Sequence, residues 1–139
     1  SHWNNVSILA AASGSALSIS HSTSIEGLAV MLVGGKCHIG NDCMLSSGIT
    51  IWANDSHRLM DADTGELLND QPQGVLIGDH CWIGQGATFT KNAIIPANTV
   101  VGLQSVVTKS FREEFTALAG NPAKVIKNGV KWSREREMG

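Results

Sequence analysis

The chain has no tyrosine, and phenylalanine and tryptophan together make up only 5% of its 139 residues. Charged residues are also scarce, at 16%, and the formal net charge is −2. With that balance, nothing suggests nonspecific nucleic-acid binding. No apolar run reaches the ~18 residues of a membrane-spanning helix, and no signal-peptide pattern stands at the start. Only three cysteines occur, Cys37, Cys43 and Cys81, and no CxxC pair suggests zinc. An odd number of unclustered thiols fits a reducing cytoplasm.

Apolar residues, at 42%, suffice for one well-buried core. Fifteen glycines with few large rings suit short strands and tight corners better than a helical bundle. The order of the residues is more specific. Ile39, Leu45 and Ile51 lie six apart, and Ile77, Ile83, Phe89, Ile95, Val101 and Val107 resume the same spacing. At this composition, chance would supply such a run roughly once in 400 trials when counted against a template. A sustained short period means one small unit stacked on its neighbours, which is a solenoid.

Ile19, Ile25 and Met31 give an earlier beat of six, and a two-residue slip resets it to Val33. Four residues after the beat positions stands a small-residue slot, with Cys37, Cys43, Cys81, Ala87, Ala93, Thr99 and Ser105. The cysteines are therefore expected to be buried packing thiols. Glycine follows the beat at positions 40, 78, 84 and 102, where corners are expected to need unusual backbone angles. Residues 1–18 are weakly patterned and suggest an irregular first coil. The pattern vanishes over 57–74, a polar excursion loop, and FREEFTAL after residue 110 suggests a short helix before a charged tail. The expectation is one domain over 1–139, with repeats over about 19–112 and a tail over 113–139.

Two residues break the rule. His57 stands on the beat, six after Ile51, and Asp55 falls in the small slot. A carboxylate there needs a partner, and imidazole titrates near neutrality and can take a proton from a hydroxyl. Trp82 is a large ring on a narrow solenoid and needs a cover. His38 and His80 fall in the outward phase and read as surface residues. Trp52 and Trp132 read as structural.

The repeat, with the segments IGDHCWIGQGATF (77–89), VVGLQSVVTKSF (100–111) and AGNPAKVIK (119–127), resembles the hexapeptide-repeat acyltransferases. IWANDSH (51–57) resembles the histidine segment of sugar and polysaccharide O-acetyltransferases, near the maltose and galactoside enzymes. The resemblance implies an all-β solenoid, a left-handed parallel β-helix of three sheets. It also implies acetyl-CoA as co-substrate, no metal, a sugar or saccharide acceptor, and a homotrimer with sites between subunits. His57 would be the general base with Asp55 beside it. Trp82, Gln85, Leu103, Thr108, Lys109 and Lys124 would meet the cofactor. Asn54, Asp61 and Asn69, with Asp63, would line the acceptor pocket. Two alternatives stay open on sequence. One is a non-catalytic scaffold. The other is a γ-class carbonic anhydrase-like hydratase, which needs three histidine ligands where only His57 and His80 offer themselves.

Overall fold

The computed structural model describes residues 2–12, 14–53, 55, 57–69 and 74–136. The chain winds through three sheets in turn, about five times. The first coil is β1 (His2–Trp3), β2 (Val6–Ala12) and β3 (Ala16–Ile19). The second is β4 (Ser24–Ile25), β5 (Leu28–Val33) and β6 (Lys36–Ile39). The third is β7 (Met44–Leu45), β8 (Ile49–Trp52) and, after the excursion, β9 (Val75–Ile77). The fourth is β10 (Trp82–Ile83), β11 (Thr88–Phe89) and β12 (Ile94–Ile95). The fifth holds β13 (Thr99–Val101) and β14 (Val106–Val107). A closing pair, β15 (Thr116–Gly120) and β16 (Ala123–Asn128), completes the first sheet. Among the described residues every pairing between these strands is parallel except β15 with β16.

The period of six is the length of one prism side. Register stacks Ile25, Leu45, Ile83, Val101 and Leu118 in one ladder. Val30, Ile51, Phe89 and Val107 form the second, and Ile19, Ile39, Ile77 and Ile95 the third. All nine beat residues from Ile39 to Val107 are at most 1% exposed. The slot residues fill the spaces between the ladders: Cys43, Cys81, Ala87, Ala93, Thr99 and Ser105 are fully buried and Cys37 nearly so. All three thiols are free, and desolvation pushes that of Cys37 up to about 12.

The structure departs from several expectations. Residues 2–12 and 14–19 hold one strand on each of the three sheets, as later coils do, with a register shift between Ala10 and Ala12. Met31 and Val33 are not core residues. β5 is six residues long and alternates, so Leu28, Val30 and Leu32 point inward and Met31 and Val33 do not. Period two inside a long strand overrides the period of six. No helix forms over 111–118; from Thr116 the chain instead pairs with the edge of β13 as β15. The glycines after the beat are also explained differently. None of Gly40, Gly78, Gly84 and Gly102 has a positive φ. A Cβ on Gly78 would lie 2.5 Å from the Ala97 nitrogen, and one on Gly84 would lie 2.6 Å from the Leu103 nitrogen. Close nesting of successive coils requires glycine there. Left-handed backbone occurs two residues later in the same corner, at Asp42 after Gly40 and at His80 after Gly78.

Candidate active site

The excursion leaves the solenoid at the corner between the second and third sheets. Ile51, Phe89 and Val107 stack, so the residues two places on, Ala53, Lys91 and Lys109, share one corner position. In the third coil the chain turns out after Ala53, which is fully buried. It re-enters at Val75, which pairs with Cys37. Val75 thus fills the inward place that the slot spacing assigned to Asp55. Asp55 is exposed, and so is His57. The loop hydrogen-bonds internally through Leu68 N–H to the Leu59 carbonyl at 2.7 Å and an antiparallel bridge between Met60 and Leu67.

Asp55 has the partner a carboxylate needs, but that partner is not the His57 ring. The Lys91 ammonium sits 2.7 Å from Asp55 Oδ2. Asn69 Nδ2 donates to the same oxygen at 2.9 Å and to the His57 carbonyl at 2.8 Å, while Asn69 Oδ1 accepts from Leu59 N–H at 2.8 Å. The Lys91 hydrogen bond, then that of Asn69, holds the Asp55 carboxyl below the usual carboxylate range. Among the described residues the His57 imidazole makes no hydrogen bond.

Asn69 therefore clips the neck of the loop. Asp61 bends back on its own turn, Oδ1 accepting from the N–H groups of Asp63 and Thr64, each at 2.8 Å. Those bonds, that of Thr64 first, lower its pKa. Asn54 lies outside the described residues.

The residues matched to a cofactor lie elsewhere on the prism. Trp82 is 40% exposed on the first sheet. Gln85 and Leu103 are exposed at the corner between the first and second sheets, joined by Gln104 N–H to the Gln85 carbonyl at 2.8 Å. Leu103 is 72% exposed. Thr108 and Lys109 are exposed at the corner that also carries the loop exit. The Lys109 ammonium lies 5.3 Å from the Phe111 ring centre. Lys124 is exposed on β16, opposite Ala119. One chain thus joins Asp55, Asn69 and the His57 backbone. It leaves Trp82, Gln85 and Leu103 across the second sheet from His57.

Two features lay beyond the sequence reading. Lys91 is one; its shared repeat position with Ala53 and Lys109 was the available signal. The other is the tail. Trp132 stacks on His80 with centroids 4.2 Å apart and planes 10° apart, and lies 6.2 Å from Trp82. His80 is accordingly no plain surface residue. Its Nδ1 meets Asp42 Oδ2 at 2.8 Å and its Nε2 the Trp132 carbonyl at 3.1 Å. Arg134 reaches Asp42 Oδ1 at 3.2 Å, the Ser24 hydroxyl at 2.9 Å and the Cys43 carbonyl at 2.8 Å. His80, then Arg134, holds the Asp42 carboxyl below its ordinary range.

No protein-family model matches the chain. It is 32% identical over 128 residues to a polysialic acid O-acetyltransferase of Escherichia coli O1:K1 / APEC, covering 91% of this chain and 41% of that protein. It is 38% identical over 101 residues to a polysialic acid O-acetyltransferase of Neisseria meningitidis, covering 73% of this chain and 46% of that one. The crystallographic structure of the polysialic acid O-acetyltransferase OatWY superposes with a TM-score of 0.86 at 34% identity, over 97% of this chain and 64% of that one. The chain spans less than half the length of either curated relative. With this winding, this register and these relatives, the chain belongs to the hexapeptide-repeat acyltransferases of the left-handed β-helix fold.

Proposed function

We propose that the protein transfers an acetyl group from acetyl-CoA to a hydroxyl of a sugar or polysaccharide. A sialic acid polymer is the first acceptor to test, because both curated relatives are named for it. The observation that carries the reading is His57. It is an exposed imidazole on a loop clipped at its neck, at the one long interruption of the repeat.

His57 accepts the proton of the acceptor hydroxyl as that oxygen attacks the thioester carbonyl carbon. The tetrahedral intermediate collapses with cleavage of the C–S bond. The imidazolium then returns its proton to the departing thiolate, giving an acetyl ester and free CoA. An alcohol is a poor nucleophile until deprotonated, and such base catalysis contributes about 10²–10⁴-fold. Asp55 and Asn69 hold the histidine segment; Asn54 and Asp61 belong to the same loop and would border the acceptor. Trp82, Gln85 and Leu103 would receive the pantetheine arm. Lys109 with Thr108, and Lys124, would meet the phosphate-bearing end, where a compact ammonium suits phosphate. Trp82 and His57 lie on opposite sides of the second sheet in one chain. A homotrimer, pairing the edge of one prism with the face of the next, would bring them to one groove.

The test is release of CoA thiol from acetyl-CoA in the presence of polysialic acid, with light scattering for assembly. His57→Ala is expected to keep the wild-type mass and circular dichroism and to lose transfer by at least about 10²-fold. A variant with unchanged turnover removes His57 from the mechanism. Wild-type protein that releases no thiol with any saccharide offered overturns the activity itself.

A further inference from the structure

The His57 loop is tied to the solenoid at an unexpected point. Among its described residues from 55 to 69 the hydrogen bonds are internal: Leu59 with Leu68, Asp61 with Glu66, Asn69 with Leu59 and His57. Among the described residues, one polar side-chain link joins this stretch to the coils, the ion pair between Asp55 and Lys91. Lys91 comes from the fourth coil, one level beyond the exit of the loop. Its side chain is only 22% exposed, against 41% for Asp55. A partly buried lysine is better defined than one on the open surface, because solvent screens its charge less and fewer rotamers are open.

We propose that Lys91 is a positioning residue that fixes His57 against the solenoid through Asp55 and Asn69. The inference rests on His57 being the base, as argued above. Its geometry is a short relay. Lys91 Nζ and Asn69 Nδ2 converge on Asp55 Oδ2 at 2.7 and 2.9 Å. The same Asn69 nitrogen has a second hydrogen, which it gives to the His57 carbonyl at 2.8 Å. Both hydrogens of the Asn69 amide nitrogen are used, and the relay ends at the backbone of the residue that must meet the acceptor. Removing the ammonium leaves Asp55 and Asn69 bonded to each other but unmoored from the fourth coil. Lys109 cannot substitute, since it stands one coil further on and lies over Phe111.

The experiment compares Lys91→Met, Lys91→Arg, Asp55→Asn and the Lys91→Met/Asp55→Asn pair in the full chain. Two readouts are used: trypsin cleavage after Arg58, beside His57, and steady-state kinetics with acetyl-CoA and polysialic acid. Lys91→Met and Asp55→Asn should each speed cleavage after Arg58 and lower kcat by about 10–100-fold, the range that small misplacement of a reacting group produces. KM for acetyl-CoA should hold within about twofold if orientation alone is lost. The double variant should be no worse than either single one, because both break the same tie. Lys91→Arg should restore slow cleavage and most of kcat.

Wild-type cleavage after Arg58 in Lys91→Met overturns the proposal, whatever the activity. So does a rise in KM for acetyl-CoA at unchanged kcat, which would make Lys91 a donor contact. If wild-type protein transfers no acetyl group while Lys91→Met and Asp55→Asn still loosen the loop, the tether stands and the base assignment falls.

Discussion

Replacing Trp132 by alanine tests whether the tail is a docked strap or a loose end. The indole is 8% exposed, and its N–H donates to the His80 carbonyl at 2.9 Å. Its flat contact with the His80 ring closes one side, and the Arg134 guanidinium stands 5.7 Å from its centre on the strap itself. A tryptophan buries on the order of 200 Å², which at about 25 cal/mol per Å² is about 5 kcal/mol of gross stabilisation. Ordering the backbone costs about 1–2 kcal/mol per residue, so five residues from Val130 to Arg134 consume that and more. The hydrogen bonds of Arg134, about 1.5–3 kcal/mol each where a charge is involved, bring the sum back to a small net gain. Docking is then a narrow balance that the indole decides.

Trp132→Ala should therefore release the strap outright, and the solenoid should lose only the net docking energy. That amounts to about 1–2 kcal/mol, or about 2–8 °C in Tm for a chain of this size. Trypsin should cut after Lys131 and Arg134 many times faster in the variant, with cuts within the coils unchanged. The emission of Trp82 should also shift, since its neighbour 6.2 Å away is gone. Cleavage after Lys131 and Arg134 as slow as in wild type would refute the balance, because the polar contacts alone would then hold the strap.

Two further outcomes follow from the same geometry. Asp42 has a folded pKa below its unfolded value, so its stabilisation is present above the ordinary carboxylate range and is lost as pH falls through the folded pKa. Melting followed from pH 6 down to about 2 should show the strap released before the coils unfold, and Asp42→Asn should abolish that step; an unchanged acid profile in Asp42→Asn would remove Asp42 as the anchor. Gly78→Ala places a Cβ 2.5 Å from backbone of the next coil, whereas the nearest atom to a Cβ on Gly102 is the Ala119 methyl at 3.3 Å. Overpacking costs about 1–3 kcal/mol, so Gly78→Ala should melt well below Gly102→Ala, and equal melting would mean that the coils can spread.

How much of this was legible depended on whether a residue obeyed the repeat. Ile77 to Val107 did, and each lies in the ladder its spacing assigns. The cysteines did, and they are buried where the slot puts them. Met31 was misplaced because β5 is one long alternating strand, in which parity rather than the count of six decides the face. The segment at 111–118 carries Glu113, Glu114 and Leu118, a locally helical composition. An open strand edge beside it outweighed that preference. The strap could not be read at all: Trp132 and His80 are 52 residues apart, and nothing local links them.

Asp55 shows where the repeat stops being a guide. Extrapolated past Ala53, the spacing buries the carboxylate; the chain has already left the prism, and Val75 takes the inward place. A rule of position holds only while each residue has a neighbour one coil away to register against. Beyond that point chemistry takes over, and the partners of Asp55 are set by hydrogen-bond demand: one ammonium and one amide on a single oxygen. The spacing still carries information about the partner, because Lys91 remains inside the repeat and shares its position with Ala53, where the loop departs. Had the corner positions been compared coil by coil, a lysine directly beyond a departing acidic loop would have identified the pair. A site built on a solenoid is thus half readable: the residue that the coil holds can be placed by counting, and the residue that the loop brings must be placed by what it needs.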